Sequence, residues 1–413
     1  MSIPTSTRTA WRLALGLLAV LAGPCAAAMA DVPVRVVRFG DLQPAGAGIE
    51  NTYEAIGFDP AERVYVALCN PEETPGVGNC YLFRWNPKTG ARRYFDNFLD
   101  AARRVGNLGP NQYWDKPETL IKGHTHLWYM KGRMWMGTMN VHGYDDRTYI
   151  RGTHLFALDL ATGLLTDHAQ WQPNGVFHER SGTYTVEVMP QRNLVLSIGV
   201  PNCTITVYNP TTRATKRVAG VPPENNPQLS GRDMTLLAGG NLLYQCGSGA
   251  TPFGLYNVIT GQNEVLDFRV ENPISLAYAR TGDGMVAYLN DSAAIYRFSL
   301  ATKTGTRLAS LHPDGGKFQV TPVNLSRDEQ KLYYVINKFN GETAPYIDDL
   351  YEYNLVTGER TLLMNLQAAV GGGVKFSGSH MMSSAGKLYL AFQGEVEPGI
   401  IEIDLSGRTG PKP

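Results

Sequence analysis

The chain is short of the signatures that identify most enzymes. It has no G-x-S-x-G elbow, no Walker loop and no C-x-x-C pair. Nucleophile-elbow hydrolases, P-loop enzymes, zinc ribbons and thioredoxin-like sites are therefore not indicated. Its glycines have no βαβ pattern around them, so a dinucleotide fold is not indicated either. Charge of one sign is also missing. Basic and acidic residues number 37 each. That balance points away from nucleic acid and from membrane surfaces as partners. One apolar run, Leu13–Leu21, follows Arg8 and Arg12 and ends in Ala28-Met29-Ala30. It is too short for a mature membrane span and reads as a secretory leader covering residues 1–30, cleaved before Asp31. The mature chain, 31–413, is expected to be secreted or periplasmic, soluble, and a monomer.

Cysteine is scarce. Once Cys25 leaves with the leader, Cys69, Cys80, Cys203 and Cys246 remain. An even count in an exported chain favours disulfides, and four cysteines allow three pairings. The spacing favours Cys69–Cys80, closing a Pro/Gly-rich loop, and Cys203–Cys246, joining adjacent repeats.

What is abundant is repetition. A strand followed by a turn on Asn or Asp, Thr and Gly occurs at Tyr81–Gly90 and returns at His154–Gly163, Ile205–Arg213 and Gly254–Gly261. It continues at Ile295–Leu300, Leu350–Gly358 and Ile400–Leu405. Each copy alternates apolar and polar residues and is preceded by further strand-like segments. Four antiparallel strands repeated at roughly fifty residues mark a β-propeller blade. The expectation is an all-β, seven-bladed β-propeller with an insertion in blade 2 around residues 99–121. The last repeat lacks a fourth strand, and Val32–Phe39 can supply it, closing the ring and removing sheet edges. No Trp-Asp signature is present, so the WD-repeat class is not indicated.

In a propeller the first strand of each blade faces the central axis. Counting back six residues from each second strand gives the anchors Phe58, Trp128, Val188, Leu236 and Met382. Four residues before the first four anchors lie Glu54, His124, Tyr184 and Arg232, predicted to share one level. Two residues before them lie Ile56, His126, Val186 and Met234, and His380 matches His126 in the last blade. The loop after the second strand of blade 2 adds Asn140, His142, Tyr144 and Arg147. Arg binds carboxylates in bidentate fashion, His serves as a base near neutral pH, and Tyr exchanges a proton. Together they suit abstraction of a proton α to a carboxylate, followed by β-elimination. The candidate catalytic groups are His124, His142, Tyr184 and Arg232. Glu54, His126, Asn140, Tyr144 and His380 are candidates for holding substrate.

The blander alternatives are specific. Inner-strand histidines can hydrogen-bond between blades, Arg232-Asp233 can be a structural ion pair, and Trp128 and Tyr144 can be packing. His154, His168, His178 and His312 read as edge or loop residues. A glycosidase would use acids such as Glu54, Glu187 and Asp233. A binding propeller would use the same mouth without chemistry.

The phrase His126 … Gly132–Thr138 … His142, with the Arg232 strand Ser230–Leu237, resembles the secreted seven-bladed polysaccharide lyases that act on uronic acids. Ulvan lyases and rhamnose–glucuronate lyases are examples. Whether His124 or His126 is the matching histidine stays open. The resemblance implies an acidic polysaccharide or oligosaccharide as substrate and β-elimination as the reaction. It requires no cofactor. Oligogalacturonate lyases, also propellers, hold a metal with His and Gln. No Gln precedes His124-Thr125-His126 at close spacing, so a divalent metal is possible here but not indicated.

Overall fold

The computed structural model describes residues 32–53, 55–70, 78–107, 120, 122–139, 152–169, 178–179, 182–200, 203–221, 234–246, 251–270, 275–281, 284–290, 294–311, 319–337, 348–394 and 397–410. The expected leader lies outside them. Among the described residues no helix is long and apolar enough to cross a membrane.

The fold is an all-β propeller. Strands of the described residues form seven four-stranded antiparallel sheets and one two-stranded sheet. Six of the four-stranded sheets are each drawn from one continuous stretch of chain, so self-contained blades number six against the seven repeats counted in the sequence. The seventh sheet is composite. Val374–Met382, Lys387–Gly394 and Gly399–Asp404 supply three strands, and Val34–Arg38 supplies the outermost. Arg35 pairs with Glu402 across this seam, by strand register and by a 2.8 Å ion pair.

The inner strands of blades 1 to 6 are Ile56–Phe58, Trp128–Met130, Gly182–Met189, Met234–Leu236, Ser275–Thr281 and Gln319–Leu325. With Val374–Met382 they neighbour one another in a closed cycle around the axis. A pleated strand turns alternate side chains to opposite faces, so each blade buries apolar residues against the next. The cluster of Tyr65, Leu82, Met134 and Phe156 joins blades 1 and 2. Leu196, Ile198, Leu242 and Tyr256 join blades 3 and 4. The Asn/Asp–Thr–Gly turns follow their expected logic. In the turn at Asp159 the carboxylate accepts from the amides of Ala161 and Thr162, and Gly163 takes the left-handed conformation at φ 76°.

The blade 2 insertion contains a helix, Phe98–Arg104, capped by Asn97, whose side chain accepts from the Asp100 amide. Phe98, Leu99, Ala101 and Ala102 seal it onto the core between blades 1 and 2.

One expected disulfide is present and one is not. Cys203 and Cys246 join blades 3 and 4, with Cα atoms 5.6 Å apart. Cys69 and Cys80 are free, buried thiols, which corrects the predicted pairing. They do not close the loop from outside; they stand opposite each other inside adjacent strands of blade 1. The backbone of Cys69 bonds in both directions to Asn51, on the side away from Cys80. The thiols are thus packed groups of the inter-blade core, and burial pushes the Cys80 thiol well above its ordinary range.

Two histidines assigned to edges and loops also prove to be packed. His154 is buried, with Nδ1 2.5 Å from the carboxylate of buried Asp167. His168 lies against Trp135, with Nδ1 3.2 Å from the Tyr208 hydroxyl, and burial lowers its pKa to about 4. His178 belongs to a short strand paired with Thr153, and His312 lies outside the described residues.

Candidate functional site at the propeller axis

The inner strand of blade 2 is set on that of blade 1 by direct backbone contact. The Leu127 amide donates to the Ile56 carbonyl at 3.0 Å, and Gly57 bridges Leu127 in parallel. Only glycine permits this approach. A Cβ on residue 57 would lie 2.7 Å from the Leu127 carbonyl carbon and 2.8 Å from its Cβ. Thr125 then fixes the two histidines that flank it. Its buried hydroxyl accepts from the Gly137 amide of the neighbouring strand at 2.8 Å.

The strand register corrects the predicted levels. Phe58, Leu236 and Met382 do pair with Val64, Leu242 and Leu388 as their alignment requires. In blade 3, however, Met189 rather than Val188 stands opposite Leu194. In blade 2, Tyr129 rather than Trp128 stands opposite Met134. The cause is a tight hairpin. Met130 pairs directly with Arg133, and Lys131 and Gly132 turn the chain with φ of 49° and 81°. Positive φ at both central residues is the type I′ geometry. This hairpin is shorter than its counterpart in blade 1, so counting back a fixed distance slips by one residue. From the observed anchors, His124 is level with Tyr53.

The rings agree with that register. Tyr53 stacks near His124 with centroids 5.5 Å apart, and Tyr184 meets the same imidazole edge-on at 4.4 Å. Blades 1, 2 and 3 thus contribute one ring each. His124 and Tyr184 are both buried. Lys122 Nζ sits 5.0 Å from the Tyr53 ring centroid, bringing a cation to this cluster.

A second group lies further along the strand. His126 meets His380 of the seventh sheet, with centroids 5.2 Å apart and planes at 83°. Trp128 is edge-on to His126 at 6.1 Å. Asn324 of blade 6 completes the group, its Oδ1 3.1 Å from His380 Nδ1. Burial, and next the facing His126, hold the His380 imidazole well below its ordinary pKa, so it is neutral near pH 7.

Tyr184, Asn324 and His380 share a local cause. In blade 3, Thr183 pairs with Gly199 and Val186 with Ser197, so Tyr184 and Thr185 oppose a single residue. Blade 6 has the same irregularity between Val320 and Val323, and the seventh sheet has one between Phe376 and His380. Bulges re-aim side chains and interrupt pairing near sites. In blade 3 the Thr183 hydroxyl secures the bulge, lying 2.7 Å from Ser197 Oγ and 2.9 Å from the Ile198 carbonyl.

Of the predicted site residues, the fold brings together His124 with Tyr184 and His126 with His380. Glu54, Asn140, His142, Tyr144, Arg147, Arg232 and Asp233 lie outside the described residues. Glu187 is a buried strand residue. Tyr53, Lys122 and Asn324 were missed. Tyr53 becomes visible in sequence once the blade 2 hairpin is read as a two-residue turn at Lys131-Gly132. Asn324 has no such signal, because a bulge sets its direction. Among the described residues no group of three or more His, Cys, Asp or Glu is placed to hold a metal ion.

No family model matches the chain, and no curated protein matches it. Solved structures share its fold. A structure of the mitotic checkpoint complex aligns at 11% identity and TM-score 0.56, over 96% of this chain and 98% of that one. The WD40 repeats of RRP9 align at 12% identity and TM-score 0.53, over 91% and 99%. The extracellular domain of BT4673 from B. thetaiotaomicron aligns at 11% identity and TM-score 0.55, over 92% of this chain and 43% of that one. At such identities a likeness speaks for fold alone. The chain is a β-propeller with WD40-type structural neighbours.

Proposed function

We propose that the protein is an exported polysaccharide lyase that cleaves beside a uronic acid by β-elimination. The observation that carries this reading is the His124–Tyr184 contact at 4.4 Å across blades 2 and 3. A base and a phenol in contact at a propeller axis supply the two proton-transfer groups that elimination needs. His124 or His142 takes the proton α to the uronate carboxylate. The electron pair forms the new double bond as the β carbon–oxygen bond breaks. Tyr184 protonates the leaving oxygen, or serves as the alternate base. Arg232 neutralises the carboxylate and so acidifies the α proton. Glu54, His126, Asn140, Tyr144 and His380 hold the sugar. Export is supported by the N-terminal leader pattern and by the Cys203–Cys246 disulfide.

The test is ultraviolet absorbance of the conjugated uronate product, followed on a panel of uronate-containing polysaccharides. Wild type should produce it on at least one polymer. Arg232→Ala and His124→Ala should each lower turnover by roughly 10²-fold or more, as expected for loss of a proton-transfer or charge-stabilising group. Unchanged turnover in Arg232→Ala sinks the mechanism. A non-catalytic ligand- or protein-binding propeller is the rival reading. Stacking of Tyr53 on His124 favours it, because aromatic surfaces also serve binding alone. Saturable binding of an acidic oligosaccharide with no product on any polymer would establish it.

A further inference from the structure

We infer that His126 and His380 form a binding site for one divalent transition-metal ion. The site reassigns His126 and His380 from holding the sugar to holding the ion; the proton transfers proposed for His124, His142 and Tyr184 do not depend on it. Blade 1 stands between blade 2 and the seventh sheet in the ring, so these two side chains meet only by reaching past it toward the axis. Their centroids are 5.2 Å apart and their planes nearly perpendicular, at 83°. Two imidazoles on one tetrahedral zinc ion, each nitrogen about 2.0–2.1 Å from the metal, hold their centroids about 5 Å apart. The observed spacing matches that geometry.

The orientation of His380 supports the same reading. Asn324 Oδ1 lies 3.1 Å from His380 Nδ1 and accepts its proton, which leaves the lone pair on Nε2. A carbonyl oxygen fixing the far nitrogen is how metal-binding histidines are commonly aimed. One donor beside the pair lacks an acceptor: the buried Trp128 Nε1 has no hydrogen-bond partner. Buried donors are ordinarily satisfied. A water, hydroxide or anion completing the coordination sphere would satisfy it. Among the described residues no carboxylate or thiol joins the histidines as a third ligand. Imidazole nitrogens without carboxylates select zinc, nickel or copper over calcium or magnesium.

The test uses the full mature chain, stripped with a chelator, and needs no substrate. Zn²⁺ is titrated calorimetrically, and Cu²⁺ is bound for electron paramagnetic resonance. The expected result is one saturable ion per chain, with copper hyperfine structure from two imidazole nitrogens. His126→Gln and His380→Gln should each weaken affinity at least tenfold, and Asn324→Ala roughly 10-fold or more, the usual effect of losing a group that orients a ligand. The nitrogen count on wild type stands even where a variant fails to fold, which near-ultraviolet circular dichroism would reveal. No saturable binding up to millimolar ion would overturn the inference. So would binding that survives both histidine substitutions, or a copper spectrum without imidazole nitrogens. Neither result bears on the lyase reading, which is judged by its own product.

Discussion

Replacing Gly57 with alanine should damage the candidate site although residue 57 contributes no functional group. The perturbation is one methyl. Its carbon would lie 2.7 Å from the Leu127 carbonyl carbon and 2.8 Å from the Leu127 Cβ. Carbon pairs rest at about 3.5–4.0 Å, so the inner strands of blades 1 and 2 must part by roughly 1 Å. Overpacking of this kind costs about 1–3 kcal/mol. Separation also stretches the 3.0 Å bond from the Leu127 amide to the Ile56 carbonyl. A buried donor left without its acceptor costs about 1–3 kcal/mol more. The sum is about 2–6 kcal/mol, concentrated where His124 and His126 begin. A 1 Å misplacement of reacting groups can cost about 10²-fold in rate. Two assays check this: urea unfolding for stability, and the ultraviolet product assay for turnover on the active polymer. The Gly57→Ala chain should be destabilised and should lose turnover by more than its unfolded fraction explains. A variant as stable and as active as wild type would refute the claim that this backbone contact positions the site.

Two further outcomes follow from groups outside the site. His168 has its pKa lowered to about 4 by burial against Trp135 and Tyr208. The unfolded chain takes up a proton near pH 6.5 and the folded chain does not, so stability is lost as pH falls from about 6.5 toward 4. The difference of about 2.5 units corresponds to about 3 kcal/mol. His168→Gln should therefore gain about that much relative to wild type between pH 7 and pH 4, measured by urea unfolding at each pH. A constant offset between the two proteins would contradict it. The Cys203–Cys246 bridge, with a sequence separation of 43, should contribute about 4 kcal/mol by restricting the unfolded chain. Cys203→Ser should lower the unfolding midpoint accordingly, and reductant should reproduce the effect in wild type but not in the variant.

The architecture was legible because it is written many times. The alternating strand and the Asn/Asp–Thr–Gly turn recur, and each recurrence reinforces the others. Even the composite sheet was readable, since the last repeat ends one strand short and Val34–Arg38 has the pattern to complete it. The site was legible only in part, because its geometry depends on departures from the repeat. A two-residue hairpin at Lys131-Gly132 moves the blade 2 anchor from Trp128 to Tyr129. That one-residue change replaces Glu54 with Tyr53 as the level neighbour of His124. The free state of Cys69 and Cys80 departs from the expected pairing for a related reason. Nearness in sequence suggested a loop closure, whereas the register puts both thiols inside the sheet, in the core.

The bulges argue that these departures are not noise. Side chains on a regular strand alternate between faces, so a regular inner strand presents every second residue to the axis. Three of the inner strands break that rule next to Tyr184, Asn324 and His380. Interrupting a ladder leaves backbone groups to be satisfied otherwise, as the Thr183 hydroxyl satisfies the Ile198 carbonyl in blade 3. A fold made only to be stable gains nothing from such interruptions. Here they occur on blades 3 and 6 and the seventh sheet, and each lies beside a side chain that meets a ring or an amide from another blade. The repeats build a ring; the irregularities in its innermost strands decide which chemistry faces the axis.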